Sequence, residues 1–419
     1  MKIKSLRGFK DWLPEECSCY NFLINKAKHI LHLYGFKEIK IPILEKTELF
    51  IRSIGEVTDI VQKETYTFKD RNQELVTLRP EATAGICRAF IEHGLFTKPK
   101  PIKLFTIGPM FRHERPQKGR IREFYQISVE YFGKLNPFVE AELIFLGMEI
   151  LNSIKPLSLV LEVNSLGCEK CRPLFRNYLL EELRKVKDAL CEVCQTRLER
   201  NPLRILDCKK EDCKNIVNNL KPISEFWCDE CKEHFNDLLN ALKILELSYT
   251  ENPFLVRGLD YYQRTIFEIK APGLGAQDTI CAGGRYDGLI TELGGPKDIQ
   301  GTGFAIGVER WALSLFGEEK PSFLKSPLVF VALLGKKALP YGLKIAKELR
   351  KAEIPTETCY EEKSLKAQLK DANRLGVKFT IILGEDELNK EVAILRDMEK
   401  SQQEEVSLSK LVEVVKADV

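Results

Sequence analysis

The chain has 419 residues, of which 44% are hydrophobic and 30% are charged. This length predicts two to four domains, and the composition is typical of a soluble globular protein with a sizeable core. With 64 basic and 61 acidic residues the net charge is only +3, which is too balanced to indicate nucleic-acid binding by itself. No apolar run reaches the ~18 residues of a membrane span, and the N-terminus lacks the pattern of a secretory signal.

The first predicted elements are a helix and an interrupted strand. Between Pro14 and Leu33, apolar side chains recur at roughly helical spacing, which predicts a helix. The run from Glu38 to Leu44 is strand-like but contains Pro42, and a proline there indicates an edge strand or a special contact.

Residues 75–90 predict a strand, a polar turn and a second helix. The turn contains Glu81 and Thr83. Thr83 at this place is typical of a helix cap, and in that interpretation Glu81 lies in solvent.

The next predicted element is a long antiparallel hairpin. Two runs rich in β-formers, Lys103 to Arg112 and Glu123 to Phe132, flank a polar loop. Because side chains in a strand alternate between faces, Gln126 and Glu130 lie on one face, roughly 13 Å apart.

Basic side chains cluster around the loop of this hairpin: Arg112, Arg115, Lys118, Arg120 and Arg122. Cations over a floor of hydrogen-bonding groups favour an anionic ligand with a polar tail. The alternative interpretation is a strand with its apolar face buried and its polar face in water.

A cysteine-rich segment, residues 168–250, follows a predicted helix from Pro137 to Ile154 and a predicted buried strand at 157–167. Three of its four cysteine pairs have CxxC spacing, so eight thiolates could fill two tetrahedral Zn²⁺ sites. Metal would stabilise a small insertion with a thin core. Unmetallated thiols or the remnant of a lost site are the alternatives, and the sequence leaves the pairing open. The candidate ligands are Cys168, Cys171, Cys191, Cys194, Cys208, Cys213, Cys228 and Cys231.

His234, in the same segment, is a further candidate ligand, although a solvated position on a helix is the plainer interpretation. Because no export signal precedes them, the thirteen cysteines favour a reducing compartment with free thiols or metal ligands over disulfides.

Two short signatures follow the cysteine-rich segment. Residues 255–270, LVRGLDYYQRTIFEIK, lead through adjacent tyrosines into a strand, where Tyr261 and Tyr262 would ordinarily point to opposite faces. Residues 282–289, AGGRYDGL, form a glycine-rich turn that lets the backbone approach a ligand closely. No GxxxxGK[ST] motif is present, so any ATP binds without a P-loop.

The last segment, residues 328–419, alternates strand and helix patterns after a linker at 317–327. This alternation predicts a small α/β unit. Nothing in it indicates catalysis, and a generic α/β module is the plain alternative.

Four motifs in the sequence resemble those of a known family. Phe111-Arg112-His113-Glu114 with Gly119-Arg120 is similar to motif 2 of the class II aminoacyl-tRNA synthetases, and residues 303–310, GFAIGVER, are similar to motif 3. The string GPMFRHERPQKGR, together with LVRGLDYY and AGGRYDGL, resembles the histidyl-tRNA synthetases, and the resemblance covers nearly the whole chain.

The resemblance implies an α+β fold with four segments. It implies an antiparallel-sheet catalytic domain of class II type, an inserted Cys-rich subdomain and a C-terminal α/β anticodon-binding domain. The expected boundaries are 1–166 and 251–318 for the two catalytic parts, 167–250 for the insertion and 328–419 for the anticodon-binding domain.

The resemblance also implies roles for individual residues. Arg112 and Arg257 would be catalytic. The histidine-binding set would be Glu81, Ala82, Thr83, Gln126, Glu130, Arg257, Tyr261 and Tyr262. The ATP-binding set would be Arg112, Glu114, Arg120 and Arg310.

The implied reaction joins L-histidine to ATP, with Mg²⁺, and then transfers the histidyl group to tRNA(His). The family further implies a cytoplasmic homodimer with no membrane association, whereas Zn²⁺ follows only from the cysteines. Two alternatives are a histidine-sensing regulatory subunit that is inactive on tRNA and a zinc-dependent RNA-binding module.

Three residues depart from the family pattern. Ala82 stands where glycine is usual, and a positive φ there would strain it. Tyr125 replaces a common histidine and should lie on the opposite strand face from Gln126. Ser128 replaces a small glycine and should narrow the floor slightly.

Overall fold

The computed structural model forms two compact units, Met1–Phe323 and Leu324–Val419. Their boundary falls within the sequence-predicted linker, while the division of the first unit at residues 166 and 250 stays a prediction. Lys118 and Gly119 of the hairpin loop lie outside the described residues. The structure describes residues 3–55, 58, 60–116, 120–274 and 278–417.

The first unit begins with helix α1 (Pro14–Leu33), which confirms the predicted helix and starts at a proline, whose fixed φ suits a first turn. The strand predicted from Glu38 to Leu44 is wrong as a single element, because only its ends lie in strands and Pro42 between them has no N–H for a ladder. The elements that follow are β1 (Lys37–Glu38), β2 (Leu44–Lys46), α2 (Thr47–Ile54), β3 (Tyr66–Lys69), β4 (Leu75–Leu78) and α3 (Thr83–Glu92).

The predicted hairpin and the helix after it are confirmed, and four helices occupy the cysteine-rich segment. The elements are β5 (Ile102–Phe111), β6 (Glu123–Gly133), α4 (Pro137–Asn152), β7 (Val160–Ser165), α5 (Cys171–Lys185), α6 (Glu192–Arg200), α7 (Glu211–Asn218) and α8 (Asp229–Ile244). The rest of the unit comprises β8 (Thr250–Glu251), β9 (Gln263–Lys270), β10 (Thr279–Arg285), α9 (Asp287–Glu292), β11 (Gln300–Gly307) and α10 (Val308–Phe316).

An eight-stranded sheet organises the first unit, in the order β1-β5-β6-β11-β10-β9-β7-β8. Its inner pairs are antiparallel, and only the two edge pairs, β1–β5 and β7–β8, are parallel. Ile127, Val129 and Tyr131 of β6 point into a core formed with α1, α4 and α10. The opposite face of β6, which carries Gln126, Ser128 and Glu130, is therefore the face available for a site.

The second unit is a five-stranded sheet with helices. Its strand order is β13-β12-β14-β15-β16, parallel for the first three strands and antiparallel for the last two. The alternation predicted from the sequence is confirmed as far as β14, and the final hairpin was not predicted. The elements are β12 (Val329–Leu333), α11 (Leu339–Lys351), β13 (Thr356–Thr358), α12 (Leu365–Leu375), β14 (Phe379–Leu383), α13 (Glu385–Asn389), β15 (Val392–Asp397), β16 (Gln403–Ser407) and α14 (Leu411–Ala417).

Glycines in the central strands let the sheet carry buried polar side chains. Gly303 of β11 lies directly opposite Glu130 of β6. A Cβ atom at Gly303 would collide with the Glu130 carboxylate and with the backbone oxygen of Val129. The side chain of Glu130 therefore lies over the neighbouring strand, in space that only glycine leaves free.

Gly303→Ala should lower the free energy of unfolding by ~1–3 kcal/mol, because the added methyl group overpacks this position. The matched control is Gly307→Ala on the same strand, where the nearest neighbour of the new Cβ would be 3.7 Å away. Urea unfolding of both variants measures the difference. Equal stability of the two variants would contradict the close approach.

Candidate active site

The floor of the site is a row of small residues across four strands. Glu130 lies opposite Gly303, and Gly303 lies opposite Gly284 of β10. One pair of residues along, Ser128 is opposite Ala305. Since strands lie ~4.8 Å apart, the floor from β6 to β9 is ~14 Å wide, and its small side chains leave room for a ligand.

Glu130 is the central polar group of this floor, with only 1% of its surface exposed. Its carboxylate accepts a hydrogen bond of 2.6 Å from the Thr83 hydroxyl and another from the Tyr286 hydroxyl. Burial raises the pKa of Glu130 to about 8, although both hydrogen bonds oppose the shift. The carboxyl group is thus poised to gain or lose a proton near neutral pH.

Glu81 places a second buried carboxylate beside the first. It accepts hydrogen bonds from the backbone N–H groups of Thr83 (2.6 Å) and Ala84 (2.8 Å) at the start of α3. Glu81 therefore satisfies free amides of that helix. The alternative interpretation, which placed Glu81 in solvent, is wrong, since the residue is 4% exposed. Burial raises its pKa as well.

Ala82 does not strain the turn. Its φ of −102° and ψ of −23° are in the right-handed helical region, so the position does not need glycine.

Two tyrosines form one wall of the pocket. Tyr261 and Tyr262 are both buried, and their ring centroids are 4.6 Å apart. The ordinary strand interpretation, in which one of the two rings points into solvent, is therefore wrong. Tyr261 also contacts the Tyr286 ring edge-on at 5.7 Å. Burial raises the pKa of Tyr262 to about 12, while the positive charge of Arg257 opposes the shift.

Arg257 is held by Glu268, a residue to which sequence analysis assigned no role. The two form an ion pair, and Glu268 also accepts a 2.7 Å hydrogen bond from the Thr279 hydroxyl. Glu268 lies on β9 opposite Ala282, at the far side of the floor from Glu130. Nothing in the sequence distinguishes Glu268 from an ordinary acidic residue on a strand. Its ion pair with Arg257 is visible only in the folded structure.

A cluster of cations lies at the end of the hairpin. Arg112 donates from Nε to the Pro80 carbonyl oxygen at 2.9 Å, and its guanidinium group lies 5.3 Å from the centre of the Phe124 ring. Arg120 forms an ion pair of 2.6 Å with Glu114.

Arg310 joins this cluster from helix α10. It donates to the backbone oxygen of Thr279 at 2.8 Å. Burial lowers the pKa of Arg310, and the positive charges of Arg120 and Arg112 lower it further. Arg310, from a distant part of the chain, is therefore close enough to the guanidinium groups of Arg112 and Arg120 to be repelled by them, an arrangement that an anionic ligand would relieve.

Gln126 and Ser128 complete the polar face of β6. Among the described residues, the Gln126 Oε1 atom and the Ser128 hydroxyl are buried without a hydrogen-bond partner, which indicates a place for ligand atoms. Tyr125 points to the other face, where it packs on Trp12 with ring centroids 4.2 Å apart, as strand alternation predicts.

The eight cysteines of the cysteine-rich segment form two clusters, and their pairing is nested. In each cluster the four sulfur atoms lie within 4.8 Å of one another. Separations of 3.6 to 3.9 Å recur among them, close to the ~3.8 Å edge of a tetrahedron with Zn–S bonds of ~2.3 Å. The donor set therefore fits a tetrahedral metal ion. The base cluster is Cys168, Cys171, Cys228 and Cys231, and the tip cluster is Cys191, Cys194, Cys208 and Cys213.

His234 belongs to neither cluster, and its expected solvated position is wrong. The residue is 8% exposed, and its Nε2 atom lies 3.2 Å from the carboxylate of Glu140 on α4. Arg285 donates to the same carboxylate oxygen at 3.0 Å. The prediction failed because the apolar face of α8 packs on α4, and this packing places His234 in the buried interface between the two helices.

Comparison with known proteins agrees with this geometry. A family model described as histidyl-tRNA synthetase matches residues 8–311, and one described as anticodon binding domain matches residues 328–418. The antiparallel sheet, the cationic hairpin and these matches define a class II aminoacyl-tRNA synthetase fold.

Full-length relatives make the assignment specific. The chain is 46% identical to a histidine–tRNA ligase of Thermodesulfovibrio yellowstonii, with 99% of each chain covered. It is 47% identical to that of Aquifex aeolicus, over 98% of this chain and all of the relative. The apo crystal structure of the Staphylococcus aureus histidyl-tRNA synthetase superposes with a TM-score of 0.82 at 36% identity, covering 99% and 100% of the two chains. The chain belongs to the histidyl-tRNA synthetase family.

The raised pKa of Glu130 predicts a pH-dependent contribution to stability. A carboxyl group with a pKa of about 8 in the folded protein and ~4.3 in the unfolded chain binds its proton more tightly when folded. The stabilisation is complete below pH ~4 and is lost as the pH rises through 8, with a slope of at most ~1.4 kcal/mol per pH unit.

Urea unfolding of the parent and of Glu130→Gln between pH 5 and 9 measures this contribution. The advantage of the parent over the variant should shrink steadily as the pH rises. Glu142→Gln, at an exposed position on α4, is the control and should show no such trend. A parent–variant difference that is constant with pH would refute the raised pKa of Glu130.

Proposed function

We propose that the protein is a histidine–tRNA ligase, which forms histidyl-adenylate and pyrophosphate from L-histidine and ATP and then transfers the histidyl group to the 3′ end of tRNA(His). Full-length similarity to histidine–tRNA ligases supports this activity. The observation that carries it is the buried Glu130 carboxylate in a pocket walled by Tyr261 and Tyr286, which suits an imidazole.

Selection of histidine follows from the chemistry of its ring. A neutral imidazole has one N–H donor and one acceptor nitrogen. Glu130 accepts from the donor, and the Tyr262 hydroxyl serves the other nitrogen. A ligand that lacks either group leaves a buried polar atom unpaired, at a cost of ~1–3 kcal/mol each.

The backbone groups of histidine bind next to the ring. Glu81 and Thr83 bind the α-ammonium group, a cation that the two buried carboxylates of the pocket attract. Ala82 lies between them, and Gln126 orients the amino acid through its free Oε1 atom. Tyr261 packs beside the ligand.

ATP, which enters as its Mg²⁺ complex, binds over the cationic end of the floor. Arg112 holds the α-phosphate, and Arg257, oriented by Glu268, bridges this phosphate and the histidine carboxylate. Glu114 and Arg310 hold adenine by a hydrogen bond and by stacking, while Arg120 covers the outer phosphates. The histidine carboxylate then attacks the α-phosphate in line and displaces pyrophosphate. The protein contributes by positioning the reactants and by stabilising charge.

The second unit and the three-stranded sheet β2-β4-β3 indicate two macromolecular partners, tRNA and a second copy of the chain. Residues 328–418 match an anticodon-binding domain, which supports tRNA as the second substrate. Leu44, Phe68 and Leu75 of the three-stranded sheet β2-β4-β3 are 42%, 48% and 52% exposed, which supports a homodimer through this region. No helix in the described ranges is long and apolar enough to cross a membrane.

Zn²⁺ is the metal that the two cysteine clusters fit, because four thiolates in tetrahedral arrangement are its usual structural site. We place the protein in the reducing cytoplasm, where cysteines remain available as thiols or metal ligands. Bound metal would stabilise the insertion by joining segments that are distant in sequence.

Histidine-dependent ATP–pyrophosphate exchange tests the reaction. Glu130→Gln should lower kcat/KM for histidine at least ~100-fold, because the amide cannot accept a charge-assisted hydrogen bond from the ring, while KM for ATP changes little. Glu123→Gln, on the opposite face of the same strand, is the control.

Each outcome separates the candidate functions. Exchange together with transfer to tRNA establishes the ligase. Histidine binding without tRNA transfer would indicate a histidine-sensing regulatory subunit, and unchanged exchange in Glu130→Gln would refute the role of Glu130.

Metal analysis of the purified protein tests the clusters. We expect two Zn²⁺ ions per chain, and one ion after Cys213→Ser in the tip cluster. Cys359→Ser, outside both clusters, should keep both ions. A protein purified under reducing conditions without bound metal would contradict the proposal.

A further inference from the structure

The loop that carries Arg257 and the two tyrosines is held by residues of the cysteine-rich insertion. Its central residue, Asp260, is fixed from several directions. The backbone N–H of Asp260 donates to the Ile54 carbonyl oxygen at 3.2 Å, and Asn201, which follows α6, donates to its carboxylate at 2.7 Å. The loop therefore takes its position from the insertion as well as from the sheet.

Arg172 makes the most extensive of these contacts. Its Nη1 atom donates to the backbone oxygens of Asp260 (3.2 Å) and Tyr262 (3.0 Å), and its Nη2 atom donates to Asp260 oxygen at 3.2 Å. One planar guanidinium group thus bridges the carbonyls on both sides of Tyr261. A planar fork of five donors is suited to this bridge, whereas an ammonium group is a single point of charge.

Arg172 is positioned by the base cluster. It directly follows Cys171 in the first turn of α5, and its backbone N–H donates to the Cys168 carbonyl oxygen at 3.0 Å. Cys171 in turn accepts a hydrogen bond of 3.1 Å from the backbone N–H of Cys228, at the other end of the insertion. Four sulfur ligands around one ion would fix the turn from which Arg172 projects.

The base cluster is also tied directly to the strand that follows the tyrosines. The backbone N–H of Arg264 donates to Gly167 at 3.0 Å, and Leu166 donates to the Arg264 carbonyl oxygen at 2.7 Å. Trp227, next to Cys228, donates from its ring nitrogen to the Ser165 carbonyl oxygen at 3.3 Å. A shift of the base cluster would therefore displace the chain on both sides of Tyr261 and Tyr262.

We propose that Arg172 is a positioning residue for the histidine pocket, and that the metal-bound base cluster holds it in register with Tyr261 and Tyr262. Arg172 contacts backbone carbonyls rather than substrate, so it acts through the placement of the tyrosine rings. This inference rests on the proposed function only in assigning histidine as the ligand of that pocket.

The consequence is a defect specific for the amino acid. Loss of the bridge should move the tyrosines relative to Glu130. Arg257 keeps its ion pair with Glu268 on β9, and Arg112, Arg120 and Arg310 lie outside this loop, so the cationic end of the floor stays in place. Histidine binding should therefore weaken and ATP binding should not.

Arg172→Gln and Arg172→Lys test the proposal, with Arg176→Gln, at an exposed position one turn along the same helix, as the control. For Arg172→Gln we expect histidine KM in pyrophosphate exchange and the calorimetric Kd for histidine to rise ~10-fold or more, with KM for ATP within ~2-fold of the parent. The histidine Kd of Arg172→Lys should lie between those of the parent and of Arg172→Gln, because lysine keeps the charge but cannot bridge both carbonyls.

The cluster is tested with Cys231→Ser, which should lose one equivalent of Zn²⁺ and raise the histidine Kd in the same direction. If the base cluster acts through Arg172, the effects of Cys231→Ser and Arg172→Gln on the histidine Kd should be less than additive in the double variant. Thermal unfolding of every variant shows whether the fold is retained.

Three results would overturn the proposal. The first is an unchanged histidine Kd in a folded Arg172→Gln protein. The second is an equal loss of histidine binding and ATP binding, which would make Arg172 merely structural. The third is full additivity in the double variant. A parent that binds histidine but does not exchange pyrophosphate would refute the proposed function while leaving the calorimetric test of Arg172 valid, and a parent without histidine binding would overturn both.

Discussion

The structure depends on keeping one carboxylate out of water in the middle of a β-sheet. Burying an ionisable group without partners costs several kcal/mol, and the residues around Glu130 reduce that cost. Thr83 and Tyr286 donate hydrogen bonds to it, and Gly303 leaves the space that it fills. Each of these residues comes from a different part of the chain, so the pocket exists only when the helix α3, the turn after β10 and the strand β11 are all in place.

The arginines at the cationic end of the floor are held by ion pairs and by hydrogen bonds to backbone oxygens. Every arginine there has a protein partner in the absence of ligand: Arg257 pairs with Glu268, Arg120 pairs with Glu114, and Arg112 and Arg310 bind backbone oxygens. These partners hold the guanidinium groups in fixed orientations. A site whose charges are already oriented needs little reorganisation when negative charge develops.

Much of this arrangement was readable from the sequence, because strand alternation and helical periodicity are local. The limits of α1, the hairpin β5–β6 and the common face of Gln126 and Glu130 all follow from such patterns. The contributions of Glu268 and Tyr286 did not, since an acid on a strand and a tyrosine in a turn gain meaning only from the chain that packs across from them.

The errors have the same origin. His234 was expected on an exposed face, and the alternative interpretation of the turn before α3 placed Glu81 in solvent, yet both residues are buried against elements distant in sequence. The cysteines show the limit most clearly: spacing identified the ligand candidates, but only the return of α8 to the start of α5 shows which pairs meet.

The nested pairing of the cysteines has a consequence for how the insertion assembles. The tip cluster joins Cys191 to Cys213 across 22 positions, whereas the base cluster joins Cys168 to Cys228 across 60. Closing the shorter loop costs less chain entropy, and once it is closed it shortens the free length that the longer loop must bring together. If both clusters bind metal, loop entropy therefore favours closing the tip cluster first and the base cluster, next to the catalytic sheet, second.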